Sequence, residues 1–146
     1  MKVKLLYPDS KLPVYATPGS ACFDLHAHVS VPIPFNAGSQ WVIGTGLSVE
    51  VPEGYVLLLF SRSGHAAKHG MRLGNCVGVI DSDYRGEVSI ILTMDDNLGL
   101  DNVVEIRPGD RIAQGMLVPI PKVSFTIVDE VSPTTRGAGG FGSTGG

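Results

Sequence analysis

The sequence of 146 residues contains no apolar run long enough to cross a membrane. Its opening, Met1-Lys-Val-Lys-Leu-Leu-Tyr-Pro8, is positively charged, but too few apolar residues follow to form a signal-peptide core. Cysteine is scarce. Cys22 and Cys76 are the only two, with neither the density of a secreted disulfide scaffold nor the paired spacing of a zinc site, so they read as free, partly buried thiols. A soluble intracellular (cytoplasmic) location is the expectation that follows. A basic excess is also lacking. The net charge of −3 argues against stable binding to duplex nucleic acid. A nucleotide-sized anion is not excluded, because it needs only a few Arg or Lys side chains converging on one pocket.

What is abundant is glycine and proline, 19 and 10 residues, recurring between short runs rich in Val, Ile and Leu. This punctuation indicates an all-β chain. Strands are predicted at residues 3–6, 21–26, 40–51, 55–60, 87–93, 103–106, 112–120 and 124–128, with a further short one over 77–80. One short helix is predicted at 64–69, with Ser63 placed to cap it and Gly70 to end it. So many strands with so little helix must close a barrel or stack two sheets in jelly-roll fashion to hide their edges. Length and composition fit one domain, residues 1–135, followed by a tail over 136–146.

That tail differs in kind. Six of its eleven residues are glycine and Phe141 is its only large apolar group, so it cannot pack a core and is expected to be mobile when free. Composition alone fits a disordered appendage. Its chemistry says more, because Arg136, Phe141, Ser143 and Thr144 bring a cation, a stacking face and two hydroxyls within reach of one nucleotide.

Three further segments carry candidate chemistry. Asn75-Cys-Val-Gly-Val-Ile-Asp-Ser-Asp-Tyr-Arg-Gly-Glu87 reads as a β-hairpin whose tight turn, residues 81–86, holds Asp81 where a carboxylate can orient and deprotonate a water. The plainer reading is that its carboxylates merely satisfy turn amides. In Ser61-Arg-Ser-Gly-His-Ala-Ala-Lys68 a strand gives way to a helical turn, so that Arg62, the Ser63 hydroxyl and outward amides form an anion site. The plainer alternative is a capped turn with a solvent-facing Arg. Gly109-Asp-Arg-Ile-Ala-Gln114 is a turn into a strand that offers Arg111 and Gln114 as further donors, and Pro18-Gly-Ser-Ala-Cys-Phe-Asp-Leu25 brings the single carboxylate of Asp24.

In this order, these segments resemble the five motifs of the homotrimeric dUTPase family, from Tyr15-Ala-Thr-Pro-Gly-Ser-Ala-Cys-Phe-Asp-Leu25 to Gly140-Phe-Gly-Ser-Thr-Gly145. The most specific match is Gly78-Val-Ile-Asp-Ser-Asp-Tyr-Arg-Gly86 together with the glycine-rich tail. The resemblance implies a jelly-roll β-barrel trimer with active sites between subunits, each closed by another chain's tail. It implies hydrolysis of dUTP to dUMP and pyrophosphate by in-line water attack at the α-phosphorus with Mg2+, lowering dUTP and supplying dUMP for thymidylate synthesis. Asp81 would hold the attacking water and meet the 3′-hydroxyl, while Tyr84 would lie under the sugar and reject a 2′-hydroxyl. Asn75 and the backbone of Gly78, Val79 and Ile80 would read the uracil edge. Arg62, Ser63, Gly64 and Gln114 would contact phosphates. Arg136, Ser143 and Thr144 would hold the γ-phosphate, with Phe141 stacked on uracil beside Gly142. Magnesium would be held by the triphosphate and waters without a direct protein ligand, Asp24 being at most an outer contact.

Cys22 stands where the family commonly has Gly, and Ser61 where it frequently has Pro. Residues 94–102 form a longer hairpin than in many members, a candidate partner site. Two rivals are a dCTP deaminase, which shares the barrel and an Arg-Ser segment but needs a glutamate base, and a non-catalytic nucleotide-binding module. The Asp81 segment and the Phe-Gly-Ser-Thr-Gly tail favour hydrolysis of dUTP over both.

Overall fold

The computed structural model describes residues 1–95 and 103–143. Ten strands and one helix follow in the order β1 (Lys2–Leu5), β2 (Phe23–His26), β3 (Ile33–Phe35), β4 (Gln40–Glu50), β5 (Tyr55–Phe60), α1 (Ser63–His69), β6 (Met71–Leu73), β7 (Gly78–Ile80), β8 (Glu87–Met94), β9 (Val104–Ile106) and β10 (Arg111–Pro119). They form an antiparallel sheet β1-β4-β8-β6, a second antiparallel sheet β2-β10-β5-β7, and a ribbon of β3 with β9. The fold is therefore all-β and jelly-roll-like. No helix among the described residues is long and apolar enough to cross a membrane.

Strand alternation builds the core. Along β8 every second residue, Val88, Ile90, Leu92 and Met94, points inward and is buried. Opposite them lie Leu57 and Leu59 of β5, Leu25 of β2 and Ile112 of β10, with Phe35 of β3 fully enclosed. Burial of such side chains contributes roughly 1.5–3 kcal/mol each and supplies the main drive to fold.

The fold differs from the sequence expectations at five points. Residues 124–128 form no strand: their alternating apolar face meets no partner among the described residues, and Phe125 and Ile127 stand fully exposed. The turn over 81–86 does not close a hairpin, because β7 pairs with β5 and β8 pairs with β4 and β6; the turn carries the chain from one sheet to the other. Strands β3 and β6, each of three residues, were not foreseen. Arg62 rather than Ser63 is the N-cap of α1, and no side chain caps it, whereas Gly70 does end the helix in the left-handed conformation. The thiols are free, but Cys76 is exposed rather than partly buried. The hairpin expected over 94–102 lies, beyond Asp95, outside the described residues.

The register of β4 on β8 shifts between Gly44 and Ser48, and the Glu87 carboxylate fills the bulge by accepting the Gly46 amide at 2.7 Å. Gly46 has φ 68°, and a Cβ there would come within 3.0 Å of both Ser10 Cβ and His28 Cγ. Gly46→Ala is expected to destabilise the fold by roughly 1–3 kcal/mol, read as a lowered Tm, through combined backbone strain and collision.

Candidate functional site

The candidate residues fall into two clusters at opposite ends of β5. At its C-terminal end the chain turns through Ser61 and Arg62 into α1. Gln114 Nε2 donates to the Ser61 carbonyl at 2.9 Å, and the Ser61 hydroxyl accepts the Leu73 amide at 2.9 Å, so the turn is anchored to both β10 and β6. Arg62 is half-buried and its Nε donates to Asp24 Oδ1 at 3.1 Å, while Arg111 Nη1 donates to Asp24 Oδ2 at 3.1 Å. Arg62 Nη1 also donates to the Arg111 carbonyl at 3.2 Å. The three residues thus form a closed ring, completed through the Arg111 main chain, and the charge-assisted bonds to Asp24 hold geometry well.

Beside this ring opens a cleft of about 350 Å³ lined by Ala16, Ser20, Cys22, Asp24, Arg62, Ser63, Gly64, Arg111 and Gln114. Arg62, Ser63, Gly64 and Gln114 are brought together in this cleft. The cleft offers guanidinium, hydroxyl and amide donors to an anion. Both oxygens of Asp24 are engaged by guanidinium groups, so its first task is to fix Arg62 and Arg111. Burial raises the Cys22 thiol pKa.

At the other end of β5 the chain leaves β7 through Asp81. Ile80 pairs with Leu57, five residues before Arg62. At about 3.3 Å per residue the two clusters lie roughly 15–20 Å apart in one chain. Asp81 is exposed and lines a groove of about 630 Å³ with Glu50, Glu53, Tyr55, Asp83, Arg85 and Lys122. The turn is held by other groups: Arg85 Nη1 donates to the Ser82 and Tyr84 carbonyls, both at 2.8 Å, and Ser48 Oγ donates to the Arg85 carbonyl at 2.7 Å. Among the described residues the Asp81 carboxylate takes part in no hydrogen bond or ion pair.

Tyr84 is exposed on one face, and its hydroxyl donates to the Glu87 carbonyl at 3.0 Å. A Cβ at Gly86 would collide with the Tyr84 hydroxyl and come within 2.6 Å of the ring carbon Cζ, so only glycine leaves the ring where it lies. Asn75 is exposed in the turn after β6, followed by Cys76 at φ 63°; Gly78 is buried against Leu59, and Val79 is exposed.

In the tail, Arg136 Nε donates to the Gly139 carbonyl at 2.8 Å and the Ser143 amide to the Gly140 carbonyl at 3.0 Å. Phe141 is fully exposed at φ 48°, followed by Gly142 at φ 88°. Thr144 lies outside the described residues.

Sequence reasoning left His65 unassigned. Its Nε2 lies 2.8 Å from the Arg111 carbonyl that Arg62 also uses. Its position beside the Arg-Ser-Gly run was a signal, but the partner 46 positions away was not legible. Among the described residues no three His, Cys, Asp or Glu side chains converge as a metal site.

The dUTPase family model matches residues 9–145. The deoxyuridine 5'-triphosphate nucleotidohydrolase of Caulobacter vibrioides is 46% identical over 139 residues, covering 94% of this chain and 87% of that protein. That of Anaplasma marginale is 43% identical over 149 residues, with 99% of each chain covered. Among solved structures, the dUTPase of Staphylococcus bacteriophage 80alpha with dUPNHPP superposes with a TM-score of 0.85 at 29% identity, covering 99% of this chain and 97% of that one. A mutant dUTPase from phage phi11 of S. aureus, reported to coordinate a structural Mg(II) ion, gives a TM-score of 0.77 at 25% identity, covering 90% and 98%. With this match spanning nearly its whole length, and motif residues lining both clefts, the chain belongs to the dUTPase family.

Proposed function

We propose that the chain hydrolyses dUTP to dUMP and pyrophosphate, by attack of water at the α-phosphorus. The observation that carries this reading is the state of Asp81. The turn around it is closed by Arg85, Tyr84 and Ser48, and among the described residues its carboxylate has no partner in the open groove. A carboxylate that merely satisfied turn amides would be consumed locally. One left unpaired is available to orient a water and accept its proton.

Around it the family roles find supporting geometry. The Tyr84 ring, fixed by Gly86 and by its bond to the Glu87 carbonyl, is rigid enough to lie under a deoxyribose and exclude a 2′-hydroxyl. Asn75 with the backbone of Gly78, Val79 and Ile80 reads uracil, and Arg62, Ser63, Gly64 and Gln114 bind phosphates. Polar pockets of this kind discriminate by about 10⁴-fold or more, because a wrong base leaves buried groups unpaired.

One chain does not bring these clusters together, since β5 separates them. The reading therefore requires a site shared between copies, as in a homotrimer. The uncovered apolar row Val123, Phe125 and Ile127 supports subunit contact. Arg136, Phe141, Gly142, Ser143 and Thr144, the tail of residues 136–146, would close over another copy's site.

The donor set suits a metal carried by the substrate. Asp24 is committed to Arg62 and Arg111, which leaves it at most an outer contact to a metal that the triphosphate carries. Mg2+ bound to the triphosphate supplies charge neutralisation on the phosphate oxygens. In a cytoplasmic setting the reaction would limit uracil incorporation into DNA and provide dUMP for thymidylate synthesis.

The purified chain incubated with dUTP, dCTP, dTTP and UTP in magnesium is expected to yield pyrophosphate and dUMP from dUTP alone. Ammonia from dCTP would instead indicate a deaminase, and absence of any product a binding module.

A further inference from the structure

We propose that His65 is a positioning residue for Arg62, holding the carbonyl of Arg111 against which the Arg62 guanidinium is aligned. The argument begins at the start of β10, where pairing with β2 slips between Arg111 and Ala113. At this bulge the Arg111 carbonyl is taken by two side chains, His65 Nε2 at 2.8 Å and Arg62 Nη1 at 3.2 Å. A carbonyl has two lone pairs, and this one meets two donors. Arg62 is thereby fixed on two sides, by Asp24 through Nε and by the Arg111 carbonyl through Nη1. The bond from His65 restrains the carbonyl itself.

The geometry also selects a tautomer. To bond a carbonyl, Nε2 must carry the proton, which leaves Nδ1 as an acceptor, and Nδ1 is buried with no partner among the described residues. A second proton on Nδ1 would be buried without an acceptor. The charged and titratable groups facing the ring are Arg62, His69 and Asp110, beside the backbone carbonyl of Arg111. Burial is the first cause pushing the His65 pKa below its ordinary value; the bond to the Arg111 carbonyl opposes this, Arg62 and His69 add to the lowering, and Asp110 counters them. The neutral donor is thus the form present at neutral pH.

The inference rests on the reading of Arg62 as a phosphate ligand, and the test separates the two. In the full-length chain, His65→Leu is expected to raise KM for dUTP about fivefold with little change in Tm, the loss of one hydrogen bond acting on ligand geometry. His65→Gln, whose amide can replace the Nε2 donor, should restore most of the affinity. In an Arg62→Ala background His65→Leu should add almost nothing, because its effect passes through Arg62. An equal cost of His65→Leu with and without Arg62, or no rescue by Gln, would overturn the positioning role while leaving the phosphate reading intact. An unchanged KM and kcat on Arg62→Ala alone would remove both.

Discussion

Asp81→Asn is expected to lower kcat for dUTP by about 10²-fold or more while a non-hydrolysable dUTP analogue still binds and Tm is unchanged. The amide is isosteric with the carboxylate but cannot accept a proton from water. Because the Asp81 carboxylate lies in the open groove and takes no part in closing its turn, the substitution breaks no side-chain bond among the described residues. Exposed substitutions of this kind usually change stability by no more than about 0.5 kcal/mol. Single-turnover hydrolysis, equilibrium binding and thermal melting therefore separate the two roles an aspartate in a turn can have. A lost Tm with kcat preserved in the remaining folded protein would make Asp81 a structural residue, and unchanged kcat would take it out of the mechanism.

The same distinction shows which parts of the molecule the sequence makes legible. Strands β5 and β8 were located nearly to the residue, because Tyr55–Phe60 and Glu87–Met94 are long enough for burial to enforce a readable pattern. Strand β3, Ile33–Phe35, centres on Pro34, and β6, Met71–Leu73, on Arg72; three residues give no period to read. Residues 124–128 were over-read for the opposite reason. Their alternation is real, but alternation says only that one face seeks cover, not which chain provides it. The turn after Ile80 was mistaken for a hairpin because a strand pattern does not reveal its neighbour, and here the two strands it joins belong to different sheets.

The candidate site divides along the same line. Motif order exposed Arg62, Ser63, Gly64, Asn75, Asp81 and Tyr84, since those residues sit in contiguous runs. The supporting contacts were hidden by distance along the chain: Arg62 finds Asp24 across 38 positions, and Arg111 finds Asp24 across 87. Non-local pairing of this kind is decided by sheet register, which no single segment encodes. Nor did composition show that β5 would hold the two clusters apart, the observation on which the proposal of a site shared between copies rests.

Deleting residues 136–146 is expected to reduce dUTP turnover by about 10²-fold or more, in the range by which loss of substrate positioning slows an enzyme, while Tm and the oligomeric state stay unchanged. The tail's own contacts justify the second half of this expectation: the hydrogen bonds of Arg136 and Ser143 stay within the tail, and Phe141 is fully exposed. Among the described residues, removing 136–143 uncovers nothing in the barrel. The first half follows from what an exposed ring and a cation flanked by glycines can do only when a nucleotide is present. A single change isolates the ring, since stacking of a base on an aromatic side chain contributes about 1–3 kcal/mol, so Phe141→Ala should raise KM for dUTP by about tenfold with the barrel intact. If both variants retained full activity, closure by the tail would be excluded and residues 136–146 would be an appendage without a catalytic part. If truncation instead dissociated the assembly, the tail would be an assembly element, and its effect on turnover would be recovered by raising protein concentration.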